Sequence, residues 1–191
     1  MKISGGLRAR LAEVQLVVFD VDGVLTQGDI IYTDQGVEAK AFDVRDGLGL
    51  RVASAAGLGL AVMTGRSSRV VERRARDLHI SDILQRVGDK AAALRSLVEE
   101  KGISLARVCF MGDDLNDRDA MKLAGVSVAP ADAAEEIREI ADLVTDAPGG
   151  RGAARQAVRA ILDAQGRWQS SVEAYLEGLG ERERTRRDAG K

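Results

Sequence analysis

Apolar residues in this chain fall into short unbroken blocks separated by longer stretches with helical spacing. The first block, Val14 to Phe19, is apolar apart from Gln15 and carries apolar residues on both faces, as central strands of parallel sheets do. Further blocks of strand length follow at Leu58 to Met63, Ile83 to Gln85, Arg107 to Met111, Val126 to Ala129 and Leu143 to Thr145. Between them the pattern predicts helices from Asp46 to about Ala56, with Gly57 as its C′ residue, and after a Ser67 or Ser68 cap, with Val70, Val71, Ala75 and Leu78 on one face. Others are predicted over residues 89–101, ending at Gly102, near Ala133 to Ala141, and from Ala153 to Ala164, with a short lead-in over residues 7–13.

Residues 29–43 break this rhythm. Ile30, Ile31 and Tyr32 precede the turn candidate Asp34-Gln35-Gly36, and Val37 to Phe42 return, which predicts a β-hairpin flap after the first strand. The remaining β-α alternation predicts an α/β fold with a doubly wound, mostly parallel, Rossmann-like sheet. Right-handed crossovers then bring successive strand ends to one edge. Residues 1–177 read as a single domain, and residues 178–191, with Glu181-Arg182-Glu183-Arg184, as a polar, mobile tail.

Composition narrows the partners. A formal charge of −2, from 28 basic and 30 acidic residues, carries no footprint for nucleic acid or an anionic membrane. Small molecules or further copies of the chain are the expected partners. The single cysteine, Cys109, sits in an apolar block, so neither a disulfide framework nor a cysteine metal site is expected. No apolar run approaches the about 18 residues of a spanning helix, and Met1 to Glu13 lacks the apolar segment of a secretory signal. A cytoplasmic location is the expectation.

Chemistry concentrates where blocks end. The first ends in Asp20-Val21-Asp22-Gly23, the second in Thr64-Gly65-Arg66, and the Arg107 to Met111 block in Gly112-Asp113-Asp114-Leu115-Asn116-Asp117; Lys90 opens a helix at the same edge. Two close carboxylates favour a hard cation such as Mg²⁺, and they equally suit a solvated turn. The ordered set resembles the haloacid dehalogenase-like phosphohydrolases, in D-V-D-G-V-L-T, T-G-R, the Lys of G-D-K and G-D-D-L-N-D, over residues 14 to about 165.

That resemblance implies the haloacid dehalogenase fold and a phosphatase reaction through an aspartyl-phosphate. Asp20 would be the nucleophile and Asp22 the general acid and base, with Thr64 and Lys90 holding phosphoryl oxygens. Backbone N–H groups near Val21, Asp22 and Gly65 would assist. Asp20, a backbone carbonyl at Asp22, and Asp113 would hold Mg²⁺, with Asp114 and Asp117 behind them.

Only 41 residues separate Asp22 from Thr64, too few for a cap domain beside the hairpin, helix and strand already there. Within the superfamily the chain resembles the capless 3-deoxy-D-manno-octulosonate 8-phosphate phosphatases of lipopolysaccharide biosynthesis, in Glu38 to Gly47 and in Pro148-Gly-Gly-Arg151-Gly-Ala-Ala-Arg155. By that resemblance Asp43, Val44, Arg45, Asp46, Gly47, Arg51, Gly65, Arg66 and Arg74 line a sugar-acid pocket with Asp22 and Lys90, and the protein is a homotetramer. Guanidinium forks suit a substrate carrying both carboxylate and phosphate, whereas arginines on helix faces are ordinarily solvated. The apolar hairpin supplies an independent motive for assembly.

Arg86 stands where that family often has glycine. Gly149-Gly150-Arg151-Gly152 has the form of an anion cradle before a helix and also of a plain glycine-rich connection, while His79, at a helix end, is assigned no role. Other C8 or C9 sugar-acid phosphates, and a related non-hydrolytic subunit of a larger assembly, remain alternatives. A response-regulator receiver is disfavoured, because there the phosphorylated aspartate ends a middle strand and not the first.

Overall fold

The computed structural model describes residues 3–189, with side chains described as far as Leu179. Six strands form one wholly parallel sheet in the order β5-β4-β1-β6-β7-β8: β1 (Leu16–Phe19), β4 (Gly59–Met63), β5 (Asp82–Leu84), β6 (Val108–Met111), β7 (Val126–Ala129) and β8 (Leu143–Val144). A separate antiparallel pair, β2 (Ile31–Tyr32) and β3 (Glu38–Ala39), makes the expected hairpin.

Both faces of the sheet are covered, which is why its central strands read as unbroken apolar blocks. Val17 and Phe19 of β1 join a core with α1 (Gly5–Ala12), α2 (Val44–Ala55), α3 (Arg69–Asp77) and α7 (Ala153–Ala164). Leu16 and Val18 point the other way, into a core with α4 (Lys90–Lys101), α5 (Arg118–Leu123) and α6 (Glu135–Ile140). The helix α5 is a short addition that the acidic run before it concealed.

The C-terminal segment is helical across the expected boundary. Gly166, at φ +68°, ends the turn after α7, and α8 (Trp168–Ala189) follows, with Trp168, Val172 and Tyr175 packed on the first core. The backbone is still helical through Gly178 and on to Ala189, so a tail beginning at residue 178 would start inside a helix; residues 190 and 191 lie outside the described range.

The chain runs from β1 outward through β4 to β5, then returns to β6 and runs outward through β7 to β8. The order reverses beside β1, where open α/β sheets form their ligand crevice. In register, Phe19 pairs with Val62 on one side and Met111 on the other, so Asp20, Thr64 and the Gly112-Asp113 turn emerge together.

Candidate active site

Asp20 follows β1 directly and is anchored by its own amide, which donates to the Met111 carbonyl at 2.9 Å. Its side chain is buried. Lys90 reaches it from the first turn of α4, where Asp89 caps the helix by accepting from the Ala92 amide. The ammonium lies 2.9 Å from Asp20 Oδ1 and 2.5 Å from Asp117 Oδ1, with only 1% of its side chain exposed. Burial opposes that charge, but Asp20 and Asp117 hold the Lys90 pKa above its ordinary value.

Asp117 stands behind Asp20 and Asp113, where it holds Lys90 and the turn. It is fully buried, its Oδ2 accepts the Asp113 and Asp114 amides at 3.0 and 3.4 Å, and its oxygens lie with those of Asp20 and Asp113 in a cluster within 4.8 Å. The available signal was the Asp114 to Asp117 spacing, which closes a capping box on a short 3₁₀ turn. Asp114 is exposed and serves that cap.

The donor set fits a hard divalent cation. Both oxygens of Asp117 are already taken by N–H donors, whereas Asp113 Oδ1 is buried with no hydrogen-bond partner. Burial, then the neighbouring Asp117, raises the Asp20 pKa to about 6 despite Lys90; burial, then Asp20, Asp117 and Asp114, raises that of Asp113 to about 8. Closely gathered buried carboxylates of this kind are relieved by a cation. Asp20 and Asp113 are the side chains placed to hold one; the carboxylate of Asp22 is turned elsewhere.

The loop carrying these groups is backed by glycines for a reason the sequence did not disclose. A Cβ on Gly23, at φ +89°, would lie 1.9 Å from Asp113 Oδ2, and a Cβ on Gly149 would lie 1.7 Å from the Gly23 carbonyl oxygen. The Pro148-Gly-Gly segment is therefore packed backbone to backbone against the D-V-D-G loop. The glycine-rich stretch does stand at a helix N-terminus with an anion, and the anion is internal. Asp46 accepts from the Gly152 and Arg155 amides at 2.9 and 2.8 Å, so it caps α7 from α2.

That contact gives the expected pocket residue a structural partner. Asp46 is 2% exposed with both oxygens engaged by amides at the start of α7, so it caps that helix. Asp43 caps α2 by accepting the Arg45 amide at 2.6 Å, Val44 is exposed, and Gly47 makes room for Arg74, whose Nη2 would be 2.3 Å from a Cβ there. Arg74 donates to the Asp43 carbonyl and lies over the Phe42 ring at 5.5 Å; Arg51 lies 5.7 Å from the Tyr175 ring centre on α8. The contacts of Arg51 and Arg74 are with these groups and not with the carboxylate cluster.

Arg45 is exposed, pairs with Asp43 at 2.7 Å, and joins Gln27, Ala41, Phe42, Gly150 and Arg151 around a shallow pocket. Thr64 directly follows β4, buried, and its hydroxyl accepts the Arg66 amide at 3.3 Å; Gly65 beside it is exposed. Arg86 takes a left-handed conformation, φ +57°, which explains why glycine suits that position. Asp22 is paired with Lys40, a residue that the sequence reading assigned no part, and Arg66 Nε approaches Asp22 Oδ2 at 3.8 Å. The signal for Lys40 was the Glu38, Lys40 alternation on the returning hairpin strand, which more often marks a solvated edge.

Residues 75–155 match the haloacid dehalogenase-like hydrolase family. The 3-deoxy-D-manno-octulosonate 8-phosphate phosphatase KdsC of Escherichia coli K12 is 40% identical over 165 residues, 86% of this chain and 88% of that protein. A crystal structure of the corresponding Moraxella catarrhalis phosphatase, in complex with magnesium, phosphate and KDO, aligns with a TM-score of 0.85 at 40% identity, covering 88% of this chain and 97% of that one. The Yersinia pestis phosphatase aligns at 0.86 and 38% identity, over 87% and 90%. The chain therefore belongs to the haloacid dehalogenase-like hydrolases, in the family of the 3-deoxy-D-manno-octulosonate 8-phosphate phosphatases.

Proposed function

We propose that this protein hydrolyses 3-deoxy-D-manno-octulosonate 8-phosphate through a phosphorylated Asp20, with Mg²⁺ held by Asp20, Asp113 and the backbone carbonyl of Asp22. The observation that carries the proposal is the buried Asp20–Lys90 pair at 2.9 Å beside the unpartnered Asp113 oxygen, in a chain 40% identical to KdsC over most of its length. When bound, the cation supplies Lewis-acid neutralisation of the phosphoryl oxygens.

The chain's own residues divide the work as follows. A carboxylate oxygen of Asp20 forms a bond to phosphorus as the bridging P–O bond breaks, and the electron pair left on the sugar oxygen takes the proton of Asp22. Water then attacks the phosphorylated Asp20, giving its proton to Asp22 and releasing inorganic phosphate. Lys90 and the Thr64 hydroxyl stabilise charge on the phosphoryl oxygens, and Asp117 keeps Lys90 aimed. Arg45 and Arg66 are the guanidinium groups assigned to the carboxylate end of the substrate.

No helix of the described residues is long and apolar enough to cross a membrane. A cytoplasmic homotetramer assembled through the hairpin is part of the same reading, since Ile30, Ile31, Tyr32 and Val37 are all exposed. The test is phosphate release across a panel of sugar phosphates with Mg²⁺. Preference for the eight-carbon sugar-acid phosphate over neutral hexose phosphates is expected, and equal kcat/KM for both classes would reject the assignment. Another C8 or C9 sugar-acid phosphate leading the panel would keep the chemistry and change the substrate.

A further inference from the structure

Lys40 follows β3 and is exposed only along its backbone, with 1% of its side chain accessible. Its ammonium pairs with Asp22 Oδ1 and lies 3.5 Å from Glu38 Oε1. Arg66 completes a ring of two acids and two bases. Its Nη2 is 3.6 Å from the same Glu38 oxygen and donates to the Tyr32 hydroxyl at 2.9 Å, while its Nε stands 3.8 Å from Asp22 Oδ2. The ring joins three separate segments: the D-V-D-G loop, the T-G-R loop and both strands of the hairpin.

Its asymmetry is informative. Asp22 Oδ1 is taken by a shielded ammonium, whereas Oδ2 faces Arg66 Nε beyond hydrogen-bond length, and that Nε is itself buried without a partner. The second carboxylate oxygen is thus not hydrogen-bonded by the ring, and a leaving oxygen that meets Oδ2 can exchange a proton with it. For this to work the carboxylate must be held in one rotation, and a general acid a fraction of an ångström out of line loses much of its effect.

We propose that Lys40 is a positioning residue for the reaction, fixing the Asp22 carboxylate so that Oδ2 faces the leaving oxygen, and that the hairpin thereby bears on proton transfer through Lys40 and Glu38. The inference rests on the assignment of Asp22 as acid and base. Lys40 touches no reacting atom. Its shielding from water is what makes the contact strong enough to orient a neighbour, because an exposed pair of this kind contributes little.

The test compares leaving groups. An alkyl phosphate, here the sugar-acid phosphate or the best alkyl substrate of the panel, needs a proton on departure, whereas p-nitrophenolate leaves without one. Lys40→Met should lower kcat for the alkyl phosphate by about 10- to 100-fold with KM changed less than about threefold, and single-turnover release of p-nitrophenolate should be nearly unaffected. Lys40→Arg should recover most of the loss. The ratio of the two rates cancels any difference in the folded fraction, so a poorly folding variant still reports. Equal loss on both leaving groups, or a rise in KM alone, would overturn the role. Asp22→Asn is run alongside: if it too lowers both rates equally, the acid–base assignment fails and the proposal for Lys40 falls with it. A variant effect confined to Lys40 locates the failure in the proposal alone.

Discussion

Asp20, Lys90, Asp113 and Asp117 form a buried cluster of three acids and one base, and the excess acid is a titration problem with a measurable sign. The pKa values of Asp20 and Asp113 stand at about 6 and about 8, above the ordinary carboxylate value near 4. A raised carboxyl pKa means that the folded protein binds the proton more tightly than the unfolded chain. Its stabilisation is complete below about pH 4 and is lost as pH rises through about 6 and about 8. In EDTA, Tm should therefore fall from pH 5 to pH 9, and the increment in Tm on adding Mg²⁺ should grow over the same range as cation replaces proton. Differential scanning fluorimetry checks this; a flat metal-free profile with a pH-independent Mg²⁺ increment would contradict it. Asp20→Asn should cut turnover about 10³-fold or more with an unchanged circular dichroism spectrum, and full activity would exclude Asp20 as nucleophile.

Two elements meet through a single carboxylate. The N-terminus of α7 has no side-chain cap of its own, since Gly152 stands there at φ +111°, and Asp46 of α2 satisfies two of its free amides instead. Asp46→Ala should destabilise the protein by about 2 kcal/mol, seen as a lower urea midpoint, while KM changes less than about twofold. A large rise in KM at normal stability would place Asp46 in the substrate pocket. The packing of Pro148-Gly-Gly on the D-V-D-G loop makes a second demand. A methyl at Gly149 would overlap the Gly23 carbonyl, so Gly149→Ala should push that loop away from Asp113 and lower activity and Mg²⁺ affinity together. Isothermal titration with Mg²⁺ unchanged in that variant would show that the loop absorbs the displacement.

At the scale of the whole molecule the hairpin is the unfinished part. Each strand has two paired residues, and Ile30, Ile31, Tyr32 and Val37 are 45 to 60% exposed, although an isolated hairpin is marginal in water. Phe42, counted with them on the sequence pattern, instead packs on the core beneath Arg74. Association of hairpins from several copies would cover the remainder and exclude water from an otherwise capless site. Light scattering should show an oligomer. Ile31→Asp with Val37→Lys should dissociate it and reduce turnover, leaving Tyr32 free to meet Arg66. A fully active wild-type monomer at assay concentration would reject the coupling of assembly to catalysis.

The strand blocks, the acid-bearing strand ends and the helix end at Gly102 were legible in the chain because each depends on neighbours close in sequence: apolar runs set burial, and local hydrogen bonds set caps. Asp20, Thr64, Lys90 and Asp113 could be read together because a parallel sheet delivers its strand ends to one edge. Partners far apart in sequence were decided only by tertiary packing. The capping of α7 by Asp46 depends on amides of residues 152 and 155, more than a hundred positions along the chain. The 3₁₀ turn folds Asp117, expected behind the metal ligands, under Lys90, and the closing hairpin brings Lys40, to which the sequence assigned no part, onto Asp22. Residue type and spacing specify what a side chain can do, and the folded chain alone determines which neighbour takes up its hydrogen bonds and charge.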